Sequence, residues 1–245
     1  MAEKDASKPA VEPPKPVHIG GESILDRIRP HLKQIIVGII ALCVVLFVIF
    51  TIRWFRERKQ VAETEKLGQI LDVAREPIRG KDDKPDPKAP SFATVKDRGA
   101  AVLDAIAKQG TDVAGPAFRG GQLLDAGKPD EAIAEYRKGV ADKGLDGLLS
   151  REGLGLALEA KAAAGKDPAA RQKGLEEALA AFVAMQPDEA GPRRAFALYH
   201  QGRIQQLLGK RAEAKALFEK AKTANKDDRE LGELLDKRLA SLGAA

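Results

Sequence analysis

From Ile35 to Ile52 the chain carries no charged residue. As an α-helix at about 1.5 Å per residue, these 18 residues span roughly 27 Å, close to the ~30 Å hydrocarbon core of a bilayer. Basic residues bracket the run, with Arg27, Arg29 and Lys33 before it and Arg53, Arg56, Arg58 and Lys59 after it. Trp54 and Phe55 follow where interfacial aromatics sit. Runs this long with basic flanks at both ends are rare as core helices of water-soluble folds, so residues 34–54 read as one transmembrane helix.

No small-x-small cleavage site follows the run, and the expectation is an anchor that stays attached. Leu42 occupies the position where a bacterial lipoprotein box requires a small residue, so Cys43 reads as ordinary packing. Gly38 has Leu42 four residues on, and the helix lacks the GxxxG pairing pattern. Cys43 is the one cysteine, which leaves neither a disulfide framework nor a cysteine metal site. Two signals for orientation disagree. The basic residues past Ile52 favour a cytoplasmic C-terminal side, whereas a charged, Pro-rich tail with no export signal favours a cytoplasmic N-terminus. The second is the expectation adopted, with the C-terminal part periplasmic at a bacterial inner membrane.

Around this anchor the chain divides by composition. Residues 1–33, with Pro9, Pro13, Pro14 and Pro16 among alternating charges, cannot bury enough surface to fold. Residues 55–79 continue as a juxtamembrane helix through Val61, Leu67, Ile70, Leu71 and Val73, ending near Gly80. Residues 80–92, with Pro85, Pro87 and Pro90, read as a linker. Residues 93–245 have hydrophobics at helical spacing and no alternating strand pattern, so the fold class expected is all-α. Up to Lys66 there are 11 basic and 8 acidic residues, and beyond it 30 and 28. Interleaved and nearly neutral, the helical part lacks the basic face that nucleic-acid binding needs.

Residues 93–245 repeat one unit, in which an Ala precedes an aromatic by four residues on a helix that follows a turn. Ala132 and Tyr136 follow Gly127-Lys128, and Ala214 and Phe218 follow Gly209-Lys210. The middle copy has Ala178 and Phe182 after a longer expected turn over residues 165–174. At that spacing the Ala and the ring share a helix face, the one admitting a neighbouring helix and the other filling the gap. A helix over residues 94–109 and another over residues 229–242, N-capped by Asp227, are expected at the two ends.

These residues resemble tetratricopeptide repeats, most closely at Gly202, Gly209, Ala214, Phe218 and Ala221. Arg119, where that family usually has Leu, departs from the pattern, while Leu154-Gly155 keeps it. The resemblance implies a single transmembrane helix followed by a tetratricopeptide-repeat-like α-solenoid. It also implies a groove that binds proteins or peptides, lined by Glu152, Leu156 and Glu159, by Phe196, Tyr199, Arg203 and Gln206, and by Ala117 and Gly121. The basic and Asn residues that hold a C-terminal carboxylate in chaperone-binding members are absent.

Catalytic chemistry is not expected. The pairs Gly127-Lys128, Gly165-Lys166 and Gly209-Lys210 lack the Ser or Thr of a phosphate loop. His18, His31 and His200 share no metal-ligand spacing, and His200 reads as a polar surface or groove residue. Glu176-Glu177 and Asp227-Asp228 read as acids near helix starts. The expectation is therefore no enzyme, cofactor, metal or small-molecule substrate. In architecture the chain is similar to the single-span ancillary subunits of the bacterial SecYEG translocon. That resemblance implies contacts with translocon components, a membrane-anchored periplasmic chaperone and emerging exported chains. The alternative is a structural scaffold for another envelope protein complex.

Overall fold

In the computed structural model, residues 31–80, 83–84, 86, 90–110 and 113–243 are described. Among them the chain is all-α. The helices are α1 (Leu32–Arg75), α2 (Val95–Gln109), α3 (Pro116–Asp125), α4 (Pro129–Gly139), α5 (Gly144–Ala164), α6 (Pro168–Met185), α7 (Arg194–Leu207), α8 (Arg211–Ala224) and α9 (Arg229–Gly243). Residues 1–30 of the expected tail, and residues 81–82, 85 and 87–89 of the expected linker, lie outside the described residues.

Packing divides the chain into two units, Met1–Lys59 and Gln60–Ala245. In the first, α1 is long and apolar enough to cross a membrane. Its side chains are not those of a core helix, since Val37 is 65% and Phe47 70% exposed. Thr51, the one hydroxyl in the apolar run, donates to the Phe47 carbonyl at 2.7 Å, so no bare polar group faces outward there.

In the second unit, the end of α1 belongs to the folded core. Ile70 is fully buried with Val102 and Ile106 of α2 and with Ala114, and Val73, Ala74 and Phe118 pack around them. Ile70, Val73 and Ala74, within the expected juxtamembrane helix, make an apolar stripe that α2 covers. The helix stops at Arg75 rather than near Gly80, because Pro77 disfavours helical geometry at the residue before it. Beyond it the Phe92 amide donates to the Pro77 carbonyl and the Arg79 amide to the Phe92 carbonyl, both at 3.0 Å, tying the two ends of residues 80–92 together.

From α2 to α9 each helix packs on the next in sequence, and α3 also meets α5. Pro116, Pro129 and Pro168 open α3, α4 and α6, where a missing N–H costs nothing. The turns before α4 and α8 share one geometry. Gly127 (φ 77°) and Gly209 (φ 78°) take the left-handed conformation that closes the preceding helix. The middle turn differs from expectation, since α6 starts at Pro168 with Asp167 accepting from the Ala169 and Ala170 amides, and residues 168–174 are helical. Glu176 and Glu177 consequently lie well inside α6 rather than near its start. At α9 the capping acid is Asp228, not Asp227: its Oδ1 accepts from the Leu231 amide at 2.8 Å.

Glycines admit the aromatic rings of the second helices. A Cβ on Gly120 of α3 would lie 2.6 Å from the Tyr136 ring, one on Gly155 of α5 2.5 Å from Phe182, and one on Gly202 of α7 2.7 Å from Phe218. Tyr136 also rests against Gly153 of α5. Ala132, Ala178 and Ala214, four residues before each ring, are fully buried.

Candidate functional site

Apart from Ala117 and Gly121 of α3, the residues expected to line a groove come from α5 and α7, and their charges meet. Glu152, on the buried face of α5, is reached by Arg193 just before α7 and by His200 within it. Arg193 grips the carboxylate in a fork, Nε donating to Oε2 at 2.9 Å and Nη2 to Oε1 at 2.5 Å. His200 Nε2 lies 3.2 Å from the same Oε1. On the far side of the imidazole, Arg203 Nη2 is 3.3 Å from Nδ1 and 2.6 Å from Glu159 Oε2. Because a guanidinium only donates, Nδ1 accepts and Nε2 carries the proton toward Glu152. The result is a continuous chain of polar contacts, Arg193 to Glu152 to His200 to Arg203 to Glu159.

The loop before α7 aims Arg193. Gln186 accepts from the Asp188 amide at 3.1 Å and donates to the Pro192 carbonyl at 2.8 Å, and Arg194 donates to the Gln186 carbonyl. This forces Arg193 into the left-handed region (φ 61°), uncommon outside glycine, and lays its guanidinium 4.2 Å above the Phe196 ring.

Burial is the largest single influence on the Glu152 carboxyl and would raise it. Hydrogen bonds from His200 and Arg193, with the Arg193 charge, outweigh burial and hold it below its ordinary range. The Tyr136 phenol is pushed up to about 12, first by burial and then by the negative charges of Asp125 and Glu152. Asp125 itself is raised, burial outweighing the Arg98 charge. Glu152 therefore acts on α7 through hydrogen bonds and on α4 through its field.

The other expected positions separate into two groups. Glu152 and Tyr199 are buried, each about 8% exposed. Tyr199 is drawn inward by the Phe218 ring, 5.9 Å away, and by the α8–α9 core. His200, expected at a surface or groove, is likewise buried, stacked on Phe182. Leu156, Phe196, Arg203 and Gln206 remain half-buried, as do Ala117 and Gly121 of α3. Arg193 and the role of His200 were not anticipated. The one cue in the sequence was a pair of arginines directly after Gly191-Pro192.

Within the cluster each carboxylate is matched by a guanidinium, while the buried Nε of Arg203 has no hydrogen-bond partner among the described residues. Among the described residues no group of three His, Cys, Asp or Glu is placed to hold a metal ion. No protein-family model, curated protein or solved structure matches this chain.

Proposed function

We propose that the chain is a membrane-tethered protein-interaction module of the type exemplified by YfgM, the ancillary SecYEG subunit. Its α1 helix crosses the bacterial inner membrane with the N-terminus in the cytoplasm. Helices α3–α8 act as a tetratricopeptide-repeat-like solenoid in the periplasm, assisting the translocon and its chaperones with exported proteins. The observation that carries this reading is the recurrence of one packing device, Gly120 with Tyr136, Gly155 with Phe182 and Gly202 with Phe218, behind a single exposed apolar helix. Helix pairs built this way leave an apolar face bare until a neighbour stacks on it, which favours a solenoid and its binding surface.

Photo-cross-linkers at Leu156 and Gln206, half-buried positions on α5 and α7, test the reading in cells. Capture of translocon subunits or nascent exported chains is expected, and an empty result from both positions overturns the export role. Stable partners that co-purify even when translation is blocked, without translocon subunits, would instead establish the envelope-scaffold alternative. For orientation, an introduced cysteine at exposed Lys210 should react with a membrane-impermeant maleimide from the periplasmic side. Protection of that cysteine until the cells are lysed would place the helical unit in the cytoplasm.

A further inference from the structure

Immediately past the apolar run, α1 presents Arg53, Arg56 and Arg58 around Trp54 and Phe55, with Glu57 as the one acid in that stretch. Every one of these side chains is exposed. Arg53 and Arg56 pair with no carboxylate among the described residues, and the Arg58 guanidinium lies 4.1 Å over the Trp54 ring. We propose that this collar is a binding site for anionic phospholipid headgroups, with Arg53 and Arg56 holding phosphate oxygens and the Trp54–Arg58 stack fixing the helix at the level of the headgroups. The inference rests on the reading that α1 crosses a bilayer, and it holds for either orientation.

Depth comes first. From Arg53 to Arg58 the helix climbs about 7.5 Å, matching the headgroup layer that separates a ~30 Å core from the ~40–45 Å full thickness. Direction comes second. Helical Cα–Cβ bonds tilt toward the N-terminus, so side chains that follow the span lean back toward the bilayer. Lys33, before the span, leans away from it by the same rule. Third, Arg53 and Arg56 are three residues apart and lie about 60° from each other on one helix face, close enough to share a headgroup, while Trp54 and Arg58 occupy the adjoining side. Guanidinium groups bind phosphate oxygens in a fork, and each basic residue at an anionic surface favours it by about fivefold.

Trp54 is the only tryptophan in the chain, so its fluorescence reports this collar alone. The full chain is reconstituted into mixed phosphatidylcholine and phosphatidylglycerol vesicles of one composition, with brominated acyl chains on either the choline or the glycerol lipid. Stronger quenching by the brominated glycerol lipid is expected, with a relative association constant of about five or more that falls as salt is raised. The Arg53→Gln/Arg56→Gln variant, which leaves the Trp54–Arg58 stack in place, should lower that constant at least threefold. Equal quenching by both lipids would overturn the inference while leaving the span intact. Absence of quenching by either would show that Trp54 does not reach the bilayer, and would overturn the span and the collar together.

Discussion

His200 lies flat on Phe182, with ring centroids 4.6 Å apart and planes 15° from parallel. The same Phe182 ring rests against Gly155, and the Phe182 carbonyl accepts from the Gln201 side chain at 3.1 Å. One fully buried phenyl group thus joins α5, α6 and α7, and it puts the imidazole within reach of Glu152.

Gly155 should tolerate no Cβ. In Gly155→Ala the new methyl would sit 2.5 Å from Phe182, and relieving that contact requires moving a ring locked between three helices. Overpacking of this kind costs about 1–3 kcal/mol. Gly121→Ala is the matched control, since its Cβ would meet only the Tyr136 hydroxyl at 3.6 Å, an ordinary contact. Better helix propensity should leave that variant neutral or stabilised by up to about 1 kcal/mol. Melting of the full chain in detergent, followed by helical circular dichroism, separates the two. Equal melting temperatures would mean that close approach at Gly155 is unimportant.

Local patterns were legible in the sequence and long-range ones were not. The apolar run and the Ala-to-aromatic spacing are properties of a single helix, and a period of about 3.6 residues exposes both. Arg193 and Glu152, by contrast, are 41 positions apart, and their pairing depends on how the Gln186 loop turns. No periodicity encodes that. The burial of Glu152, Tyr199 and His200 was hidden for a related reason: helical spacing assigns a face to each residue, but adjacent helices decide whether that face stays open. The Asp228 cap shows a smaller limit, in that one residue of shift in a cap changes which side chain does the capping.

Removing the carboxylate at position 152 should destabilise the fold more than a surface change would. Glu152→Ala leaves the Arg193 and His200 partners facing a void, and breaking a buried pair costs about 3–5 kcal/mol. The Arg193 side chain is 33% exposed, so water recovers part of this and about 2–3 kcal/mol is expected. A double-mutant cycle with Arg193→Ala should return a coupling of about 1–3 kcal/mol. Strict additivity of the two losses would show that the fork contributes no stability.

Acid should weaken the same contact. The folded Glu152 carboxyl titrates below its ordinary value of 4.5, so its contribution is complete above that pH and disappears as pH falls through the lower, folded value. Unfolding of the wild-type chain and of Glu152→Gln, measured from pH 7 to pH 2, should give curves that differ at neutral pH and converge below about pH 4.5. A constant gap down to pH 2 would contradict the assigned charge state.

Alkali should act through Tyr136. The folded chain holds its phenol proton to about pH 12, whereas the unfolded chain releases it near 10.0. Deprotonation of unfolded molecules then draws the equilibrium away from the fold, so the contribution is complete below pH 10 and is lost between pH 10 and about 12. One proton sets a limiting slope of about 1.4 kcal/mol per pH unit. In Tyr136→Phe the ring still fills the space against Gly120 and Gly153, but there is no proton to lose. Lysine titration affects both chains equally and cancels in the comparison. The difference in denaturation midpoint between wild type and Tyr136→Phe should therefore stay level up to pH 10 and then shift against the wild type. Parallel curves through that window would mean that Tyr136 meets water in the folded chain, and that the notch between Gly120 and Gly153 does not exclude it.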